Sequence, residues 1–367
     1  MRASVLFLLS ASFLGLSTAT FAQGVTPAAG ELVVSEMMFN PGPDACVTDE
    51  NGEWFEVTNV STKALNLNGL AFTDVTTSTP TYFRVPPAFG LPTLYPGQRA
   101  VFCRKTNTAI NGNITAVYGY VGTPVGDEVV TGGAMNMGNS GIDGIRIYTD
   151  VPPAFGGTGV LIEEASYNTG AAPLNSGGTS GISVERKNLF QSMVATSSPV
   201  ANSTNLVKST TQFGPCNPIS LGTPNAENSQ DTTPIWPSNS TFDSVNFPNT
   251  GVLTPKGPAS VGAGTQRLLL SNGPATLSYY LGYSDNSPSE TPISLFIPGN
   301  PGSIVLDLIT AVYLAPAPFD GAGAADLTIP IPNVPALVNQ TFLLQWLALD
   351  SSFVIVNSNG VAMTICE

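Results

Sequence analysis

The sequence predicts an all-β fold, a sandwich or barrel of short strands, and three observations carry that prediction. Glycine and proline together supply 68 of the 367 residues, and charged residues only 10%. Runs of Ala, Leu, Glu, Lys and Arg free of Gly and Pro, which helices need, never exceed a few residues. Short apolar or alternating segments recur instead between Gly, Pro and Asn turns.

At the N-terminus, Met1-Arg2 forms a positive n-region, Val5 to Leu16 an apolar stretch, and Thr20-Phe21-Ala22 a small-residue cleavage site. Residues 1–22 therefore read as a secretory signal peptide. The apolar stretch is shorter than the roughly 20 residues of a spanning helix, and Pro and Gly interrupt every later candidate, so no transmembrane segment is expected. The expected location is secreted, extracellular or associated with the cell envelope. Cleavage leaves 345 of the 367 residues, enough for two domains. It also removes Arg2, taking the formal charge from −13 to −14.

Along the mature chain, Leu32 to Phe39 is apolar and extended, and Asn40-Pro41-Gly42-Pro43-Asp44 turns it. Trp54 to Asn59 is the next expected strand, rich in aromatic and β-branched residues, and Ala64 to Gly69 opens a third by period-two alternation. Tyr82 to Val85, Arg99 to Arg104, Gly144 to Tyr148, Val160 to Tyr167 and Ile182 to Arg186 follow. Residues 229–240, with Pro234 and Pro237, read as a linker. A second β-rich domain is expected over 241–367, with strands at Ala275 to Gly282, Ile293 to Ile297, Ser303 to Asp307, Leu327 to Pro332, Leu343 to Leu349 and Val361 to Ile365.

Several of these segments resemble a known family in their order. Leu32-Val33-Val34-Ser35-Glu36-Met37-Met38-Phe39-Asn40-Pro41, Gly52-Glu53-Trp54-Phe55-Glu56-Val57-Thr58-Asn59 and Leu65-Asn66-Leu67-Asn68-Gly69-Leu70 are similar to the opening of bacterial lamin-tail domains. Leu94 to Phe102, Asn139 to Ile147 and Gly222-Thr223-Pro224-Asn225 are similar to that family's later turn, hairpin and closing segment. The resemblance covers residues 28–228 and departs from the compact pattern in inserted loops at Val75 to Pro80, Thr123 to Met137 and Leu189 to Cys216. It implies an immunoglobulin-like β-sandwich without an active site, of the kind that accompanies other extracellular modules in adhesion or tethering. The second domain, expected to be sandwich-like, resembles unnamed C-terminal modules of exported bacterial proteins.

Composition also excludes chemistries. The chain holds no histidine, which removes Ser-His-Asp and Cys-His nucleophile systems and the usual zinc and copper ligands. Nucleic acid is not an expected partner: the chain is acidic, and Arg99, Arg104 and Lys105 are its densest basic group. Cys46, Cys103, Cys216 and Cys366 allow three pairings, all left open by the sequence, and no C-x-x-C motif is present. Carboxylate chemistry survives. Asp44, Asp49, Glu50 and Glu53 crowd one loop and are the candidate calcium ligands, without the spacing of an EF-hand and against the alternative of solvated turn residues. Glu53 and Glu56, three residues apart on a strand, point to opposite faces, a poor arrangement for a glycosidase pair. Trp54, Trp236, Trp346, Tyr118, Tyr120, Tyr279 and Tyr280 offer rings for sugar stacking or for the core.

The expectation is a secreted or cell-envelope adhesion and scaffolding protein with no catalytic residue and no required cofactor, binding a cell-surface protein or polysaccharide. The alternatives are a calcium- or glycan-binding accessory protein and, behind it, a carboxylate-based glycosidase.

Overall fold

The computed structural model of the chain describes residues 24–41, 49–75, 81–121, 135–171, 174, 180–191, 205–212, 221–233, 236, 239–242, 251–275, 277–284, 291–292, 303–304, 312–313, 316–349 and 355–367. Residues 1–22, read above as a signal peptide, lie outside these. So do Asp44, Cys46 and Cys216 and most of the inserted loops.

The chain is all-β. Its first ten strands are β1 (Leu32–Met38), β2 (Trp54–Asn59), β3 (Ala71–Asp74), β4 (Tyr82–Arg84), β5 (Arg99–Cys103), β6 (Tyr118–Gly119), β7 (Ile142–Tyr148), β8 (Leu161–Asn168), β9 (Val184–Arg186) and β10 (Leu206–Lys208). They form a six-stranded sheet in the order β10-β9-β1-β2-β5-β6 and a four-stranded sheet in the order β4-β3-β7-β8. One apolar core lies between them, fed by Leu32, Val34, Phe55, Val57 and Phe102 from the first sheet and by Phe72, Phe83, Ile145, Ile147 and Tyr167 from the second. Phe55 stacks on Phe102 at 5.2 Å and Phe72 on Phe83 at 4.8 Å, while Phe72 and Phe102 meet across the sandwich at 4.8 Å. Such pairs each add about 0.5–1.5 kcal/mol beyond the burial of their area.

The facing of β1 depends on a bulge. Its register with β2 slips between Val34 and Glu36. Alternation then resumes one residue late, so Leu32, Val34, Met37 and Phe39 all face the core while Glu36 turns to the sheet's other face. Ala64 to Gly69, expected as a strand, contributes only isolated bridges at Leu65 to Val25 and Leu94. The reason is local: the Asn68 amide N–H donates to Asn66 Oδ1 at 2.9 Å, and Gly69 takes φ +88°, so the chain turns before β3 begins.

A buried ion pair joins the sheets at one edge. Arg186 on β9 donates to Glu163 on β8 at 2.5 Å, with the two side chains 1% and 11% exposed. Arg186 also donates to the Leu189 carbonyl, and Glu163 accepts the Val34 backbone N–H of β1.

The remaining strands are β11 (Asn239–Phe242), β12 (Val252–Lys256), β13 (Thr265–Ser271), β14 (Ser278–Ser284), β15 (Thr291–Pro292), β16 (Ser303–Ile304), β17 (Val312–Tyr313), β18 (Ala317–Pro318), β19 (Ala325–Pro330), β20 (Thr341–Leu349), β21 (Ile355–Asn357) and β22 (Gly360–Thr364). A sheet ordered β11-β22-β20-β14-β17, with β18 on β14 and β21 on β20, faces the three-stranded sheet β12-β13-β19. Leu253, Leu268 and Leu270 of the small sheet share a second core with Leu281, Trp346, Val361 and Met363 of the large one. Trp346 is fully buried, donates its indole N–H to the Val252 carbonyl at 3.1 Å, and lies so close to Gly251 that a Cβ there would stand 2.0 Å from its ring.

The segment read as a linker lies against the first sandwich at Thr232 and Trp236 and enters β11, paired with β22, at Asn239 and Ser240. Thr232 N–H donates to the Lys187 carbonyl at 2.6 Å, and Trp236 is buried with Val33, Val60 and Leu189. Among the described residues no helix is long and apolar enough to cross a membrane.

Candidate functional site

The bulge in β1 has a chemical outcome. Glu36 pairs in register with Glu56 of β2 on one side and with Glu185 of β9 on the other, and all three side chains are completely buried. Carboxylates on one sheet face would ordinarily sit in water; these lie beneath the chain segment from Thr223 to Ser229. Thr223 gives Glu36 its backbone N–H at 2.9 Å and its hydroxyl at 2.8 Å. Asn225 N–H donates to Glu56 at 2.7 Å, and Ser229 Oγ to Glu185 at 2.8 Å. From below, Ser35 Oγ donates to Glu56 at 2.7 Å and Ser183 Oγ to Glu36. Asn228 ties the covering segment to the sheet edge through the Ser35 and Arg186 carbonyls at 3.0 and 2.8 Å.

Donors alone do not neutralise this face. Burial and the Glu56 and Glu185 charges hold Glu36 well above the usual carboxylate range. Burial lifts Glu56 to about 7, against the opposing pull of Arg99 and of the Ser35 and Asn225 hydrogen bonds. With no exposed surface, these carboxylates are placed to take up a proton and to hold the covering segment, not to touch a substrate.

Arg99 of β5 lies at 3.3 Å from Glu56 and is 19% exposed. It also lines a cleft of about 450 Å³ whose walls include Leu67, Leu91, Leu94, Val117, Thr93 and Asn225. Arg99 is the one charged residue among those lining it. The atom that approaches Glu56 is the buried Nε, whose alignment does not make that contact a hydrogen bond. The turn on one side of the cleft lies close to Pro258: a Cβ on Gly97, φ +75°, would stand 2.6 Å from that ring.

Of the calcium candidates, Asp44 lies outside the described residues, and Asp49 and Glu50 are described only as backbone in a four-residue helical turn, Asp49–Gly52. Glu53 is described fully. It is 2% exposed, not solvated, and its carboxylate meets Arg104 Nη1 at 3.3 Å and accepts the Met137 backbone N–H at 3.3 Å. Among the described residues no group of three or more His, Cys, Asp or Glu side chains is arranged to hold a metal ion. Two of the basic trio are occupied internally, Arg104 with Glu53 and Asn136 and Lys105 with the Val121 carbonyl, while Arg99 makes, among the described residues, only the 3.3 Å approach to Glu56. Six of the seven candidate sugar-stacking rings are buried, and Tyr280 alone among them is exposed, at 45%. Cys103 and Cys366 are buried, and burial pushes the Cys103 thiol up to about 12.

Sequence reasoning found Glu56 but missed Glu36, Glu185 and the Glu163–Arg186 pair. A signal was present: a glutamate inside the otherwise apolar Leu32 to Phe39, and Glu185-Arg186 closing a strand. A charge within a buried strand demands partners.

No protein-family model and no curated protein matches the chain. Among solved structures it is similar to a tetra-tandem repeat in the extending region of a large adhesion protein, at 11% identity over 91% of this chain and 74% of that one, TM-score 0.20. It is also similar to trypsin-activated alpha-2-macroglobulin from Escherichia coli, at 10% identity and TM-score 0.19, and to Salmonella alpha-2-macroglobulin reacted with methylamine, at 8% and 0.22. The matches span 16% and 24% of those two chains. With TM-scores about 0.2, none of these likenesses bears on what this chain does; the fold itself establishes an all-β protein in which two sheets enclose each apolar core.

Proposed function

We propose that this chain is a secreted or envelope-associated adhesion and scaffolding protein without catalytic activity, in which a lamin-tail-like sandwich holds a set of binding loops on a rigid frame. The observation that carries this reading is the convergence of strand ends at one pole. Register puts the end of β1 beside the start of β2 (Met38 opposite Trp54), and the end of β5 beside that same start (Trp54 opposite Cys103). β6 runs parallel to β5 and ends with it, and Glu53 at this pole reaches Met137 on the approach to β7. In the other sheet the end of β3 and the starts of β4 and β7 meet (Thr73 opposite Tyr82, Asp74 opposite Ile145). The inserted segments Val75 to Pro80 and Thr123 to Met137 fall, in sequence, between described residues at these ends.

Loops carried by a stiff scaffold are the usual place for recognition. Here the stiffness has named sources, the cross-sheet aromatic core, the Glu163–Arg186 pair and the sealed carboxylate face. Secretion is supported by the signal-peptide pattern of residues 1–22, and a non-catalytic role by the lack of histidine in the sequence.

The reading is tested by replacing residues 76–80 and 122–134 with short Gly-Ser connectors and measuring retention of the immobilised protein's partners from an envelope extract. Loss of retention with an unchanged melting temperature is expected. Equal retention by both proteins would remove the loops from the proposal.

A further inference from the structure

We infer that the cleft beside Arg99 is a binding site for a small monocarboxylate with an apolar body, separate from whatever the loop pole engages. Arg99 brings five donors in a planar fork, a shape that matches a carboxylate two hydrogen bonds at a time. Among the described residues the guanidinium's one polar contact is the 3.3 Å approach to Glu56 Oε1. That carboxylate is already held by Ser35 and Asn225. It is also lifted to about 7 by burial, so near neutral pH it cancels the arginine only in part.

The rest of the lining selects the ligand. Leu91, Leu94 and Val117 contribute hydrocarbon beside the polar Thr93, Gln98 and Asn225, so the lining suits a short apolar body next to the charged head, and about 450 Å³ falls in the range of small-molecule pockets. A single cation with no second one in the lining suits one negative charge. A phosphate dianion would bring a surplus charge close to Glu56.

The test is isothermal titration of the full mature chain with butanoate, hexanoate, octanoate, octyl phosphate and 1-octanol. Saturable binding of one carboxylate per chain is expected, tightening about four-fold for each added methylene. Octanoate should bind at least ten-fold more tightly than 1-octanol. Arg99→Met should abolish that preference. Because this change strands Glu56, Thr93→Trp serves as a second variant: it fills the cleft, leaves the Arg99–Glu56 pair intact, and should weaken octanoate at least ten-fold. The inference is overturned by absence of saturable carboxylate binding, by equal binding of octanoate and 1-octanol, by tighter binding of octyl phosphate, or by full affinity in Thr93→Trp.

Discussion

Glu36 and Glu56 stand directly opposite each other on β1 and β2, both without solvent exposure, with Arg99 the guanidinium beside Glu56. Both carboxylates are held above their ordinary range by burial. A carboxyl group whose folded value is raised binds its proton more tightly in the native state, so stability is highest below the unfolded value and falls as pH rises through the folded one. For Glu56 that window runs from about 4.5 to about 7 and corresponds to roughly 3 kcal/mol. Urea denaturation should therefore show the protein less stable at pH 8 than at pH 5. Glu36→Gln should flatten the slope, since an amide can donate to Ser183 Oγ or Glu185 without carrying charge. Stability that is level or rising across this interval would contradict the account.

The cross-sheet pair should be costly to break from one side. Arg186→Met leaves Glu163 charged with its neutralising partner gone and should cost about 3–5 kcal/mol by chemical denaturation. Glu163→Leu with Arg186→Met removes both charges and should cost less than the two single changes summed. Additive losses would mean that the two residues act independently.

Gly144 on β7 has φ +154°, and a Cβ there would stand 2.1 Å from the Ala165 carbonyl oxygen of β8. Gly144→Ala should therefore destabilise the first sandwich by about 2 kcal/mol or more, read as a lowered urea midpoint. An unchanged midpoint would mean that the β7–β8 ladder accommodates the methyl group by shifting.

Cys103 is 1% exposed, and burial pushes its thiol up to about 12. Iodoacetamide should leave Cys103 unmodified in the native protein at pH 8 and label it once urea unfolds the chain, as followed by peptide mass spectrometry. Native labelling of Cys103 at the rate of a free peptide thiol would show that β5 opens readily.

Much of the fold was legible because local pattern decided it. Trp54 to Asn59 was expected as a strand and is one, with the same ends, since aromatic and β-branched residues suit a pleated surface. Strands β12 and β13 were both missed; for β12 the reason is Pro255, since proline argues against a strand except at an edge, and β12 is an edge strand of its sheet. The carboxylates were legible singly, as charges inside strands, but their meeting on one face was not. Bringing residues 36, 56 and 185 into line requires the Ser35 bulge and two strand registers, and sealing them requires residues 223–229 to return across the sheet. The resemblance marked Gly222 to Asn225 as a closing segment without revealing what it closes over.

The central claim is that this protein works by holding partners through its loop pole. Cross-linking mass spectrometry on fractionated cells of the native source tests it most directly. The account predicts recovery in the envelope or extracellular fraction, with cross-links to surface components through Lys105 at that pole. Free protein without neighbours, or cross-links confined to the opposite end of the sandwich, would contradict it.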